Sequence, residues 1–460
     1  MRVRGLIAAA SLALALAVPA ASEPLKLSPA EMRKAAVLSL KVGRARQATT
    51  LAEALLERDP TDVKMRLVAS RAARDLGDFQ SAKRHAQLGW AQADVPEDSF
   101  TAAMLMAQAL SSDGKRTRAQ LWLRRAKHVA PTPEHASRAV RDFRYVRVRN
   151  PWQTHLSFSV QPNSNINNGS SERFSTLNYA LSKALFGQAL EYELGGTAVA
   201  LSGTEYRFGL NSRYRLHETA TRAHDLFFEI DLREFTLSSE AKTLAPDARA
   251  SDFAFSSLSA GYGVRGINRE GRGEARGRFE LGHSWYGGDP LAQFAQITGA
   301  QSFFLEQGKR LDFSLTAKRQ FGEALPDVDS VTSDVTFRRK VGRGHDLMVN
   351  LSFGAAHSPN SDYSYDSVGA AVQFALAEPV MSADLVFGLS LSRRDFDSSR
   401  HSADGRKDDK VSVDMTMIFR EVDYYGFNPS VTFSASTTDS TVGLYSADRL
   451  GVSLGIRSAF

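Results

Sequence analysis

The most informative stretch of the chain is Leu450-Gly451-Val452-Ser453-Leu454-Gly455-Ile456-Arg457-Ser458-Ala459-Phe460. Leu450, Val452, Leu454, Ile456 and Phe460 share one parity, and Gly, Ser and Arg fill most of the other. Successive side chains of a strand point to opposite faces, so a period of two predicts a strand with one apolar and one polar side. A chain that ends on a strand presents a row of unpaired amides and carbonyls, and closure into a barrel removes that edge. The expectation is therefore a barrel, with Phe460 on its final strand.

The same alternation runs backward through the chain. Val411, Val413, Met415 and Met417 alternate with Ser412, Asp414 and Thr416, and Leu347, Val349, Leu351 and Phe353 with Asn350, Ser352 and Gly354. Leu226, Phe228, Ile230 and Leu232 alternate with Glu229, Asp231 and Arg233. The polar faces are too densely charged for a sandwich core and suit a wet lumen, with the apolar faces against lipid. Counting back from Phe460 gives fourteen antiparallel strands, the first at 190–200; two further segments, 154–161 and 173–186, would make sixteen. Connections at 307–308, 341–344, 378–379 and 425–426 read as short inner turns, and 236–250, 357–363, 395–406 and 437–446 as outer loops. The last strand resembles the closing strand of bacterial outer-membrane proteins, which implies that the barrel-assembly machinery reads Phe460.

The N-terminus points to export. Arg2 and Arg4 precede an apolar run from Leu6 to Val18, then Ala20, Ala21 and Ser22. A basic head, an apolar stretch of thirteen residues and small residues describe a signal peptide over 1–22, too short for a bilayer-spanning helix of about 20 residues. With no Cys, the chain has no disulfide, no thiolate chemistry and no acylated cysteine. Residues 23–150 hold 24 Lys and Arg against 14 Asp and Glu, whereas 151–460 hold 31 against 37. That asymmetry predicts a helical domain over 23–150 and a barrel over 151–460 in different surroundings. The expected location is the outer membrane of a Gram-negative bacterium, with the helical domain in the periplasm and outer-membrane lipid around the barrel.

The helical part repeats. Gly43, Ala48 and Pro60 lie at offsets 0, 5 and 17; Gly77 and Ala82 repeat the first two; Gly114, Ala119 and Pro131 repeat all three. Gly permits a tight turn, Ala permits close helix approach and Pro stops the second helix. The spacing resembles the second half of a tetratricopeptide repeat (TPR), a helix–turn–helix unit of about 34 residues whose stacks present a surface to a protein partner. Arg138, Arg141, Arg144 and Arg147 recur every third residue of the last helix, either as a contact for anionic headgroups or as a solvated basic face.

After the first short strand comes Asn163-Ser164-Asn165-Ile166-Asn167. One reading is an Asn-rich turn whose side chains cap their own backbone. Together with the repeats before it and the barrel after it, the motif resembles the signature that opens the barrel of the surface lipoprotein assembly modifier family, with Asn163 where that family carries Asp. The resemblance implies a translocator that moves client proteins, surface lipoproteins or secreted haem- or iron-acquisition proteins, across the outer membrane. Its partners would be the client and periplasmic chaperones, and it would need no cofactor.

Chemistry-bearing patterns are lacking. The ten His show no zinc-ligand spacing, so no metal is expected. Gly261-Tyr262-Gly263-Val264-Arg265-Gly266 sits in a strand pattern with no helix to receive a phosphate. The basic charge lacks interleaved aromatics, so nucleic acid is not an expected ligand. The chain does not read as an enzyme. Arg207, Arg213 and Arg215, on a polar strand face, could form a constriction, bind an acidic segment, or pair with Glu229, Asp231 or Glu205. The rival functional readings are an exopolysaccharide export porin with a TPR domain and a passive porin. A sugar conduit calls for an aromatic track, whereas the polar parity here is mostly charged, Ser, Thr or Gly.

Overall fold

The computed structural model describes residues 27–458 apart from 178, 403, 423, 425 and 426; the leader and Phe460 lie outside the described residues. Contacts divide the chain into two compact units, one ending at Gly114 and the other beginning at Lys115.

The first unit holds α1 (Pro29–Lys41), α2 (Ala45–Arg58), α3 (Val63–Asp75), α4 (Phe79–Gln92) and α5 (Pro96–Ser112). Ser28 and Glu31 form a reciprocal capping box at the start of α1, and Asp62 and Asp78 cap α3 and α4. Gly43 and Gly77 end α1 and α3 with φ of +77° and +83°. The amide after each glycine reaches back to the helix, Arg44 N to Ser39 O at 2.8 Å and Asp78 N to Ala73 O at 2.9 Å. This is the glycine stop that satisfies otherwise orphaned carbonyls. Ala48 and Ala82 are fully buried, and a core cluster is built from Ala36, Ala52, Leu55, Leu56, Met65 and Ala69. Pro60 lies between α2 and α3, past the end of the helix it terminates. His85 of α4 is buried with Nδ1 unpartnered, and that burial, aided by Arg84 and Arg66, holds its pKa below the ordinary imidazole value.

The second unit begins with α6 (Arg116–His128) and α7 (Pro133–Arg149). Ala119 is fully buried on α6, and Pro131 stands in the link before Thr132 caps α7. Asn150-Pro151 then hands the chain to a sheet. Proline cannot donate to a helix ladder and pushes the residue before it towards extended backbone, so α7 stops there.

Fourteen strands close into an antiparallel barrel. In chain order the strands are β1 (Trp152–Asn163), β2 (Phe174–Leu177), β3 (Leu190–Glu193), β4 (Gly203–Glu218), β5 (Arg222–Leu237), β6 (Phe255–Asn268), β7 (Gly273–Tyr286) and β8 (Asp289–Phe304). They continue as β9 (Arg310–Gly322), β10 (Val328–Val341), β11 (His345–His357), β12 (Tyr365–Ala375), β13 (Asp384–Phe396), β14 (Arg406–Ile418), β15 (Phe427–Ser440) and β16 (Ala447–Ser458). All but β2 and β3 belong to the barrel. Neighbours in sequence are neighbours in the sheet, and β1 joins β4 on one side and β16 on the other.

The assignment of the first strands needs correction. The count of fourteen holds, but the first strand is β1, which contains the candidate 154–161, rather than 190–200, and 173–186 adds no barrel strand. Residues 173–186 and 190–200 form instead a two-stranded ribbon, β2 with β3, separated by a short helix, α8 (Tyr179–Phe186). The Ala/Leu content of α8 favours helix, and Gly187 and Gly196, with φ of +74° and +60°, break any strand there.

The end of the barrel where α7 enters is here the near end. It carries the connections 219–221, 269–272, 305–309, 342–344, 376–383 and 419–426; the far end carries 164–202, 238–254, 287–288, 323–327, 358–364, 397–405 and 441–446. The long far-end connections hold one further short helix, α9 (Ser239–Leu244).

Contacts between strands two apart identify the inner wall. Arg278 of β7 reaches Glu229 of β5 at 2.8 Å, and Arg276 of β7 approaches Asp312 of β9 at 3.7 Å. Such side chains converge only on the concave face of a curved sheet. The opposite parity carries Leu156, Phe158, Leu315, Phe353 and Leu389, all exposed. An outer face of exposed apolar side chains around a polar interior is the membrane-barrel arrangement. No helix among the described residues is long and apolar enough to cross a membrane.

Candidate functional site

The lumen near its α7 end is organised by one carboxylate. Asp225 of β5 is 2% exposed and accepts from Arg215 Nε at 2.9 Å, with Arg213 Nε and Arg265 Nε each at 3.9 Å. Arg213 also donates to Gln153 of β1, and Arg215 pairs with Glu218. Arg207, further along β4, pairs with Asp231. The three arginines singled out on β4 are therefore tied to carboxylates rather than standing free. A charge taken out of water must be paired, and period-two strands facing one another supply the partners.

Towards the middle, Glu280 accepts from Ser259 and pairs with Arg278 at 2.9 Å. A recess of about 380 Å³ opens beside these groups, lined by Gly209, His155, Asn211, Glu229, Asp231 and Glu280.

Inward aromatics were not anticipated, and several of them stack with cations. Phe227, Phe294, Tyr365 and Phe396 share the inner parity, and a cation covers each: Arg278 at 4.3 Å, Lys318 at 4.5 Å, Arg394 at 5.0 Å and Arg406 at 3.7 Å. Such stacking stabilises by about 0.5–2 kcal/mol and takes the ring face out of use. Phe227 was hidden in the run Leu226-Phe227-Phe228; its shared parity with Asp225 and Glu229 was the available signal.

The motif Asn163-Ser164-Asn165-Ile166-Asn167 sits at the far end, where β1 meets β16. Asn163 Nδ2 donates to Glu205 at 3.1 Å, and its Oδ1 accepts from the Asn165 amide at 3.0 Å. Ser164 exchanges two hydrogen bonds with Leu450 of β16: its amide donates to the Leu450 carbonyl at 3.1 Å, and its Oγ accepts from the Leu450 amide at 2.8 Å. Asn165 is fully buried, and its Nδ2 also approaches the Asp448 carbonyl at 3.4 Å. Asn167 Nδ2 donates to the carbonyls of Thr197 and Val199, and its Oδ1 accepts from Leu201 N. Ile166 enters a small apolar core with Leu201, Ala241, Ala245 and Phe253. The motif thus ties the first strand to the last and folds the 164–202 excursion onto the 238–254 connection.

Other far-end loops receive the β2–β3 ribbon. Ser175 Oγ accepts from the Leu444 amide at 3.0 Å, and His401 stacks edge-on against Tyr445 at 5.9 Å. Burial lowers the His401 pKa below the ordinary imidazole value.

At the near end, α6 meets the connection between β14 and β15. Arg124 lies over the Phe427 ring at 4.4 Å and over Phe143 of α7 at 5.3 Å, and His128 stands edge-on to Tyr424 at 5.9 Å. Asn150 donates to Thr117 Oγ1 at 3.0 Å. Among the described residues no group of His, Asp and Glu is arranged to hold a metal.

No family model matches the chain, and no curated protein matches it. Solved structures similar to its parts include the type III secretion translocator chaperone SycD of Yersinia enterocolitica, at 18% identity over 27% of this chain and 88% of that one, TM-score 0.24. Another is the first TPR domain of human RPAP3, at 16% identity over 26% and 94%, TM-score 0.24. A third is a loop-deletion form of OmpT, an outer-membrane protein of Vibrio cholerae, at 8% identity over 67% and 99%, TM-score 0.33.

Proposed function

We propose that this protein is an outer-membrane translocator in which the helical repeats receive a client protein and the fourteen-stranded barrel provides its route, as in the surface lipoprotein assembly modifiers that its motif resembles. The observation that carries this reading is the junction of TPR-like helices to the near mouth of a closed barrel, through α7 and through Arg124 on Phe427. A passive pore has no use for such an attachment. The wall supports a protein client over a polysaccharide, because cations cover Phe227, Phe294, Tyr365 and Phe396, whereas a sugar track needs open ring faces. Dense, paired charge inside the barrel suits passage of a polar, unfolded chain that exchanges hydrogen bonds with the wall.

Removal of residues 23–149 behind an intact signal peptide tests the division of labour. The barrel should still insert, the client should lose surface exposure, and cargo should build up in the periplasm. Protease accessibility of each candidate lipoprotein or secreted neighbour on intact cells is the measurement. Equal exposure with and without this protein for all of them defeats the proposal, and loss of an exported glycan instead favours the polysaccharide reading.

A further inference from the structure

Helix α7 has two faces. Ala139, Phe143 and Val146 are buried, and the opposite side presents Arg138, Arg141, Arg144, Tyr145, Arg147 and Val148, all exposed. Arg138, Arg141, Arg144 and Arg147 form no ion pair among the described residues, and Arg149 stacks on Tyr145 at 3.7 Å. Two of the exposed side chains are apolar or aromatic, Val148 at 73% and Tyr145 at 59% exposure. Three residues after Arg149 the chain reaches Trp152, which is half exposed on the outer parity and packs against Tyr214 at 4.8 Å. Trp and Tyr on the outer wall at one end of a barrel mark the level of the membrane interface.

From these positions we infer that the last two turns of α7 bind the headgroups of anionic phospholipid in the leaflet at the near end of the barrel. The inference rests on the reading of the barrel as membrane-spanning. Distance supports it: at about 1.5 Å per residue, Arg144 to Arg149 spans about 8 Å of helix, comparable with one headgroup layer. Covalent continuity with Trp152 keeps this segment at that level. Chemistry supports it too. Guanidinium groups form paired hydrogen bonds with phosphate oxygens, and their stems lie along apolar surface while the heads reach charge. An acidic peptide would satisfy the cations but leave Val148 in water; the boundary between headgroups and acyl chains accommodates both.

The test uses the full-length protein reconstituted in bilayers of phosphatidylcholine with a minor fraction of phosphatidylglycerol. Spin-labelled phosphatidylglycerol or spin-labelled phosphatidylcholine is added at trace level, and electron paramagnetic resonance reads the fraction of each label held at the protein surface. The wild-type chain should prefer the anionic label by about fivefold at low salt and lose much of that preference at high salt. The triple change Arg144→Gln, Arg147→Gln and Arg149→Gln should reduce the preference at least by half, while Lys at the same three positions should keep most of it. Heat-modifiable gel mobility shows that each variant is folded. An unchanged preference in the Gln variant overturns the inference, as does loss of client exposure in that variant with lipid preference intact, which would assign the face to a protein ligand. A protein that holds neither label overturns the membrane reading itself, a result distinct from holding both equally, which overturns this inference alone.

Discussion

Asn165 and Gly169 close a ring on each other: the Asn165 side-chain amide donates to the Gly169 carbonyl at 2.8 Å, and its Oδ1 accepts from the Gly169 amide at 3.0 Å. The ring makes a tight loop of the chain leaving β1 and places it against β16, whose Asp448 and Leu450 complete the contacts. The far end of the barrel seam is therefore fastened by side-chain amides in addition to the strand ladder.

Replacing Asn165 by Ala leaves the Gly169 amide and carbonyl buried without partners, a loss of about 1–3 kcal/mol. The temperature at which the folded gel band disappears should fall. Asn167→Ala should lower it less, because Asn167 is only half buried and water can replace part of what it gives. A larger effect at 167 than at 165 would contradict this account of the seam.

Asp225 faces three guanidinium groups while almost wholly buried, so Asp225→Asn leaves clustered cations uncompensated. A cost of about 3 kcal/mol is expected, measured as a lowered denaturant midpoint for barrel unfolding. Asp231→Asn should cost clearly less, since the Asp231 side chain retains 26% exposure. Equal midpoints for the two variants would show that burial does not set the scale.

Gly77 adopts φ of +83°, and a Cβ there meets nothing within 4 Å. The cost of Gly77→Ala is thus conformational alone, about 1 kcal/mol, and Gly77→Asn should cost less because Asn tolerates this region better. Helical circular dichroism followed through thermal melting of the full chain reads both. A stabilising Ala at 77 would remove the helix-stop assignment.

His85 links the helical unit to pH. Its folded pKa lies below the unfolded value of about 6.5, so the unfolded chain binds the proton more readily. Stability is therefore full above the unfolded pKa and declines as pH falls below it towards the folded pKa. The helical melting temperature should be lower at pH 5.5 than at pH 7.5, and His85→Leu should flatten that difference. An unaltered pH dependence in the variant would assign it to other groups.

Much of this architecture follows from local pattern. The period of two from β4 to β16 depends only on which side of a strand meets water, so it can be read strand by strand. Gly43, Gly77 and Gly114 likewise announce turns through backbone freedom, with φ of +77°, +83° and +76°. The 190–200 segment misled because a few alternating residues, Leu190 to Glu193, also suit a two-residue-period ribbon outside the barrel; length was the missing evidence. Phe227 was obscured for a related reason, since an aromatic between two lipid-facing neighbours gives no hydropathy change as it turns inward.

A helical segment followed by an amphipathic antiparallel sheet is legible in the residues alone, because propensity, turn chemistry and side-chain alternation act over a few residues. It took the folded barrel to set Trp152–Asn163 against β16, to bring Asn165 beside Asp448 some 283 residues away, and to let Arg213 and Arg215 share Asp225 with Arg265. Those partnerships arise from closure. When a sheet curves back on itself it brings the first and last strands together and converges side chains on its concave wall, and neither effect leaves a mark on the residues nearby in the chain.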